Sequence, residues 1–238
     1  MKKLSLVLLL GALFVQGMVA QDADVFFNKA DAFFKTYITN GKVEYKALHK
    51  EPSILHELME LVKGVDLAKV TEDAYQAFWI NAYNLQVIQG IVAHYPLKSP
   101  LDVAGFFDTE KHEIAGQEVT LNQIENDLLR AKFPKEPRFH FVLVCAGLGC
   151  PPIIDEAYRP GTLNAQLQEQ TKKALNDAKF IRVEDDMVKV SQIFEWYKSD
   201  FVKAGGVVNF INRYRESKLP KDVQVGYYPY DWTLNAVH

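Results

Sequence analysis

Only two cysteines, Cys145 and Cys150, occur in the 238 residues, and neither lies just after the apolar run near the start, so the lipid attachment of bacterial lipoproteins is not available. Excess basic charge is missing too: 27 lysines and arginines stand against 30 aspartates and glutamates, a net charge of −3. Without a basic surface to hold a phosphate backbone, no nucleic-acid partner is expected. The chain has no Gly-rich phosphate loop, no internal repeat, no low-complexity tract and no linker rich in Pro, Gly or Ser, so a single globular domain is the simplest division. A composition 48% hydrophobic and 24% charged excludes global disorder.

What is present begins with a leader. Lys2 and Lys3 precede the apolar stretch Leu4 to Val15, and the small residue Ala20 stands before the polar Gln21. These are the three parts of a secretory signal peptide. The apolar stretch falls short of the ~20 residues that a spanning helix needs. The division expected is a signal peptide over 1–20 and one globular domain over 21–238, soluble and periplasmic or secreted, with no membrane association once the leader is removed. An oxidising compartment permits a Cys145–Cys150 disulfide. Closing so small a loop would fix local shape more than it would stabilise the whole chain.

Periodicity predicts helices over Asp24 to Tyr37, Pro52 to Lys63 and Glu72 to His94. The third, capped by Thr71, is apolar on almost every side and therefore belongs at the centre of the domain. A hairpin is expected over Glu110 to Thr120, and the Thr120/Gln123 capping box opens a helix running to Arg130. Phe139 to Cys145, short and rich in valine and aromatics, predicts a buried strand. Then come a helix from Thr162 to Asn176, a hairpin over Phe180 to Val190, short helices near Gln192 to Tyr197 and Val207 to Tyr214, and a strand over Val223 to Tyr228. Helices early and hairpins late give an α+β class, with a helix-rich N-terminal part and the central buried helix packed on a small antiparallel sheet.

Asn81 and Asn84 share a face of the central helix. They either bond loop backbone and pin the fold, or serve as ligand or oxyanion donors. Glu125 falls on the apolar stripe of Leu121, Ile124 and Leu128, where a carboxylate needs a partner. Arg130 is about 140° away around a regular helix, which leaves Arg138 or His140 as the counter-charge. Glu125 is then either half of a structural ion pair or a functional acid. Cys145 precedes a Gly147/Gly149 turn and is a candidate nucleophile. Strand parity turns His140 to the opposite face from Cys145, so His112 on the preceding hairpin is the better base. Cys145 and Cys150 with His112 or His140 are zinc-type ligands, but Cys150 runs straight into Pro151 and Pro152, and no metal and no cofactor are assigned. Trp196, Tyr197, Tyr227, Tyr228, Tyr230 and Trp232 form core and rim packing or line a sugar or peptide site.

Several of these segments together are similar to the domain of unknown function 547 family. They are Gly41–Tyr45 (GKVEY), Ala77–Asn84 (AFWINAYN), Gly116–Arg130 with its Leu121–Glu125 core, His140–Ala146 (HFVLVCA), Gly149–Pro152 (GCPP) and Tyr230–Asn235 (YDWTLN), within a core of about 40–235. The resemblance implies an exported bacterial member, since nothing before Asn40 has the heptads of the plant proteins that join this domain to coiled coils. Relatives often carry a histidine directly after the motif glutamate; Asn126 stands there in this chain, which weakens a mechanism relying on that histidine. The resemblance implies a domain and no reaction.

The catalytic expectation is a thiol-dependent hydrolase or acyltransferase with Cys145 as nucleophile, His112 or His140 as base, Glu125 as acid and Asn81 as oxyanion donor. Asn84, Arg130 and Tyr83 are expected at the substrate, an unidentified small molecule or peptide. Papain-like and transglutaminase-like enzymes begin their central helix with the nucleophile, and Thr71 to Asn84 contains no cysteine, which counts against that version. The alternative is a non-catalytic binding or scaffold module of the cell envelope.

Overall fold

Paired phenylalanines at Phe26/Phe27 and Phe33/Phe34 give residues 23–37 one dense apolar face, and they form helix α1. The computed structural model describes residues 23–184 and 187–237, so the signal peptide expected over 1–20 and the hairpin turn expected at 185–186 lie outside the described residues. Strands β1 (Ile38–Thr39) and β2 (Lys42–Val43) make a tight hairpin around Asn40 and Gly41, both at positive φ. Helices α2 (Tyr45–Lys50) and α3 (Ser53–Gly64) follow.

Helix α4 (Glu72–His94) is the axis of the molecule: Thr71 accepts from the amide of Ala74 at 3.2 Å, and Glu72 and Asp73 complement the dipole of its first turn. Phe78, Trp79, Ile80, Leu85 and Ile88 are all buried on it, and α1, α2 and α3 cover it from the N-terminal side. Strands β3 (His112–Ile114) and β4 (Gln117–Val119) form the expected hairpin. The capping box then closes in both directions, Thr120 Oγ1 accepting from Gln123 N at 3.1 Å and Gln123 Oε1 from Thr120 N at 2.9 Å, to start α5 (Leu121–Gln123). The helix continues over Ile124–Arg130 in π geometry.

Phe139 to Cys145 is not a strand. Pro137–Phe141 is a 3₁₀ turn, and the chain beyond it runs irregularly through the interior. A helix side chain takes the place of a neighbouring strand: Asn84 donates from Nδ2 to Val142 O at 2.9 Å and accepts at Oδ1 from Val144 N at 2.9 Å. Asn81 does the same for a second buried loop, donating to Tyr158 O at 2.8 Å and accepting from Tyr158 N at 3.0 Å. Each carboxamide satisfies a backbone donor and acceptor that burial would otherwise leave unpaired.

Helix α6 (Leu163–Asn176) leads to β5 (Ile181–Glu184) and β6 (Met187–Ser191), an antiparallel pair. Short helices α7 (Ile193–Trp196), α8 (Lys198–Lys203) and α9 (Val207–Tyr214) precede β7 (Gln224–Tyr228), which joins β6 in parallel to complete a three-stranded sheet. The architecture is α+β, helix-rich at its N-terminal end. Phe141 belongs to a second apolar cluster with Phe194, Phe201 and Phe210, so the 137–145 segment ties the α4 core to the sheet-and-helix layer. Among the described residues no helix is long and apolar enough to cross a membrane.

Candidate functional site

The Cys145 turn is built by backbone constraint. Ala146 has φ of 64°, a left-handed conformation that costs a residue with a Cβ free energy, as is common where a site is shaped. The C-terminal segment clamps the turn: Leu148 N donates to Thr233 O at 2.8 Å, Gly149 N to Asp231 O at 2.7 Å, and Asn235 N to Ala146 O at 2.9 Å. A Cβ on Gly149 would stand 2.9 Å from Asp231 N and from the Tyr230 ring, so only glycine admits this approach. The clamp brings the Tyr230 hydroxyl to 2.8 Å from Cys150 Sγ and 3.0 Å from Cys145 Sγ.

The two sulfurs are 2.6 Å apart and inequivalent. Hydrogen bonding from Cys150 holds the Cys145 thiol below its ordinary range, against burial, with further help from Tyr230 and the Gly147 backbone. Cys150 moves the other way, pushed well up by burial first and then by the charge and hydrogen bond of Cys145. Of the two thiols, Cys145 is therefore the one that gives up its proton more readily.

Both sulfurs open on a cavity of about 270 Å³ whose lining includes Tyr83, Glu125, His140, Tyr197, Tyr230 and Trp232. Glu125 and Arg130 both lie on the π stretch, Glu125 lining the cavity and Arg130 pairing with Asp200. A π stretch is wound more loosely than an α-helix, so the angular separation expected of a regular helix does not apply. Arg130 Nε donates to Asp200 Oδ2 at 2.7 Å, and the guanidinium lies 4.6 Å over the Tyr197 ring. His140 also stacks on that ring, at 4.0 Å between centroids.

His140 links the acids. Its Nε2 meets Asp200 Oδ2 at 3.0 Å, where only a protonated nitrogen can donate, and its Nδ1 faces Glu125 Oε1 at 3.8 Å, an ion-pair distance when the imidazole is protonated. The hydrogen bond from His140, with Arg130 adding to it, holds Asp200 far below the usual carboxylate range. Burial, then the charge of Glu125, pushes the phenols of Tyr83 and Tyr197 well up, so both remain neutral donors beside that carboxylate. Arg138, the other candidate partner of Glu125, pairs instead with Glu136 and reaches Asn164 at 2.9 Å.

Of the residues singled out in the sequence, Cys145, His140, Glu125 and Tyr83 meet at this cavity, and Arg130 supports it from behind Tyr197. Because 139–145 is irregular, strand parity does not separate His140 from Cys145. Three expectations are corrected. Asn81 cannot serve as an oxyanion donor, since both of its N–H groups are occupied by Ala77 O and Tyr158 O, each at 2.8 Å. Asn84 holds buried backbone and does not line the cavity. His112 is not the base for Cys145: it lies against α4, 2.8 Å from Gln86 Nε2, and borders a separate cavity with His56 and Glu60.

Asp200 escaped sequence reasoning because its partners are 60 and 70 residues away and nothing in its neighbourhood marks it. Among the described residues no group of three or more His, Cys, Asp or Glu converges in a way that could hold a metal ion.

His112 carries a prediction of its own. Burial holds its imidazole below the ordinary 6.5, so the unfolded chain takes up the proton first as pH falls. Stability is therefore retained above 6.5 and declines as pH drops from 6.5 towards the folded value. In urea unfolding at about pH 5 and about pH 8, His112→Gln should shrink the stability difference between the two conditions. An unchanged difference would assign the pH dependence to other groups.

No curated protein and no solved structure matches the chain. Residues 67–175, which carry Tyr83, Glu125, His140 and both cysteines but end before Tyr197, Asp200 and Tyr230, match the family model described as Protein of unknown function, DUF547. That match supports the DUF547 family for this chain.

Proposed function

We propose that the cavity is the site of a thiol-dependent hydrolase or acyltransferase with Cys145 as its nucleophile. The observation that carries this reading is the asymmetric sulfur pair, in which the thiolate is favoured on the cysteine that precedes the strained turn and faces the cavity. Glu125 lines the cavity with Cys145, its charge opposes a standing thiolate there so that the sulfur keeps its proton until it reacts, and His140, held by Asp200, backs Glu125. Glu125 is therefore the acid and base of the scheme, and His140 is a positioning residue.

In the first half-reaction the thiol proton passes to Glu125, and the sulfur attacks a carbonyl carbon and forms a C–S bond. Glu125 returns the proton to the leaving amine or alkoxide as its bond to carbon breaks. Water, or an acceptor amine or hydroxyl, then attacks the thioester and gives its proton to Glu125. The C–S bond breaks, and the sulfur takes the proton back. The leader-like residues 1–20 suit a protein acting in the periplasm or outside the cell on a small molecule or peptide.

Alkylation with iodoacetamide, located by mass spectrometry, tests the reading. Cys145 should be labelled first, with a rate–pH midpoint below the ~8.5 of a free cysteine. Cys150→Ala should raise that midpoint, because the Cys150 hydrogen bond, the strongest influence holding it down, is lost and alanine offers no donor in its place. Two free thiols with Cys145 inert would overturn the proposal. The 2.6 Å contact between the sulfurs favours a second reading, a disulfide within a binding or scaffold module. Recovery of the exported protein with no titratable thiol would select that reading.

A further inference from the structure

The cavity has an uneven chemistry. Phe107, Trp196, Tyr230 and Trp232 form a continuous run of rings along it, with centroids 6.2 Å apart for Phe107 and Trp232, 4.7 Å for Tyr230 and Trp232, and 5.0 Å for Trp196 and Tyr230. Trp196 is 47% exposed, a large indole left in water at the edge of the site. Acidic groups accompany the rings, Glu125 within and the exposed Asp108 at the rim, and among the described lining residues none is lysine or arginine. The Arg130 guanidinium is already paired with Asp200 and lies over the Tyr197 ring, on which His140 also stacks.

Each class of occupant meets these walls differently. An anion would be repelled by Glu125 and find no lysine or arginine among the lining side chains, where His140 is already engaged by Asp200 and Glu125. A purely apolar group would strip water from Glu125 and return nothing to it. A cation with an apolar shell gains twice, from the negative faces of the rings and from the carboxylate.

We propose that this cavity recognises an alkylammonium group, seated against Trp196, Tyr230 and Trp232 with Glu125 as its counter-charge. Resting on the thiol reading of the site, this makes the acyl substrate one that carries a positively charged end.

The test compares choline with 3,3-dimethylbutan-1-ol, its uncharged carbon analogue, by calorimetry and ligand-observed NMR. It uses the whole protein carrying Cys145→Ser, so that thiol chemistry takes no part. Choline should bind at least about tenfold more tightly than the analogue. Trp196→Leu, a change at an exposed position, should weaken choline by about 3- to 10-fold and leave the analogue less affected. Glu125→Gln should bring the two ligands to within about twofold of each other. Equal binding of the two ligands, a preference that survives both variants, or no binding of choline up to about 100 mM would overturn the proposal. Cys145 alkylation in the parent protein is read separately, so a failed cation site and a failed nucleophile remain distinguishable.

Discussion

Asn84→Ala should lower the free energy of unfolding by about 2–6 kcal/mol, as two buried backbone groups at about 1–3 kcal/mol each lose their partners. Asn84 is only 2% exposed, and its carboxamide is the partner shown for both Val142 O and Val144 N. Alanine is the better helix former, so any loss must arise across the contact and not within α4. Urea unfolding gives the magnitude. Because the 142–145 backbone carries Cys145 into the cavity, the same variant should also slow Cys145 alkylation. A change under about 0.5 kcal/mol would mean that water replaces the amide.

Asp200→Asn should have an effect of similar size for a different reason. The carboxylate accepts from both Arg130 and His140, and neutralising it leaves the guanidinium without its counter-ion beside a stacked phenol. Removing one member of a mostly buried charged cluster costs about 2–4 kcal/mol at neutral pH. The pH dependence has a definite sign. His140 and Arg130 hold Asp200 below 3.8 when folded, so the unfolded state binds the proton first as the solution is acidified. The stabilisation is present above 3.8 and is lost as pH falls from there towards the folded value. The acid limb of the stability curve should therefore flatten in Asp200→Asn, measured as the urea midpoint between about pH 5 and about pH 2. An unaltered limb would show that the cluster contributes little to folding. If Glu125 acts with support from His140, the pH profile of activity should shift in this variant as well.

The helices were legible in the sequence because their causes are local. Thr71, the Thr120/Gln123 box and the apolar spacing of α3 and α4 act within a few residues of themselves. The hairpin at Ala115–Gly116 was legible for the same reason, as both residues take positive φ. Phe139 to Cys145 misled because a short apolar run records only that it is buried. Which backbone partner it finds depends on Asn84, about sixty positions earlier, and a helix side chain leaves no strand-like pattern of its own. Glu125 showed the same limit: its partner on one side is a stacked imidazole, and the π stretch that carries it follows no visible repeat.

The sequence by itself determined the class of fold and the central place of α4, and it marked Glu125, His140 and Cys145 as candidates, since a buried carboxylate or a thiol at a glycine turn is conspicuous by residue type alone. Only the tertiary structure decided that these three share one cavity, that Tyr197 and Tyr230 complete its lining while Asp200 holds His140, and that Asn81, Asn84 and His112 serve elsewhere. The physical reason is range. Helix caps, turns and apolar periodicity are set by neighbours along the chain, whereas the charge on a buried group and the aim of a sulfur are set by whatever the remainder of the fold delivers beside them.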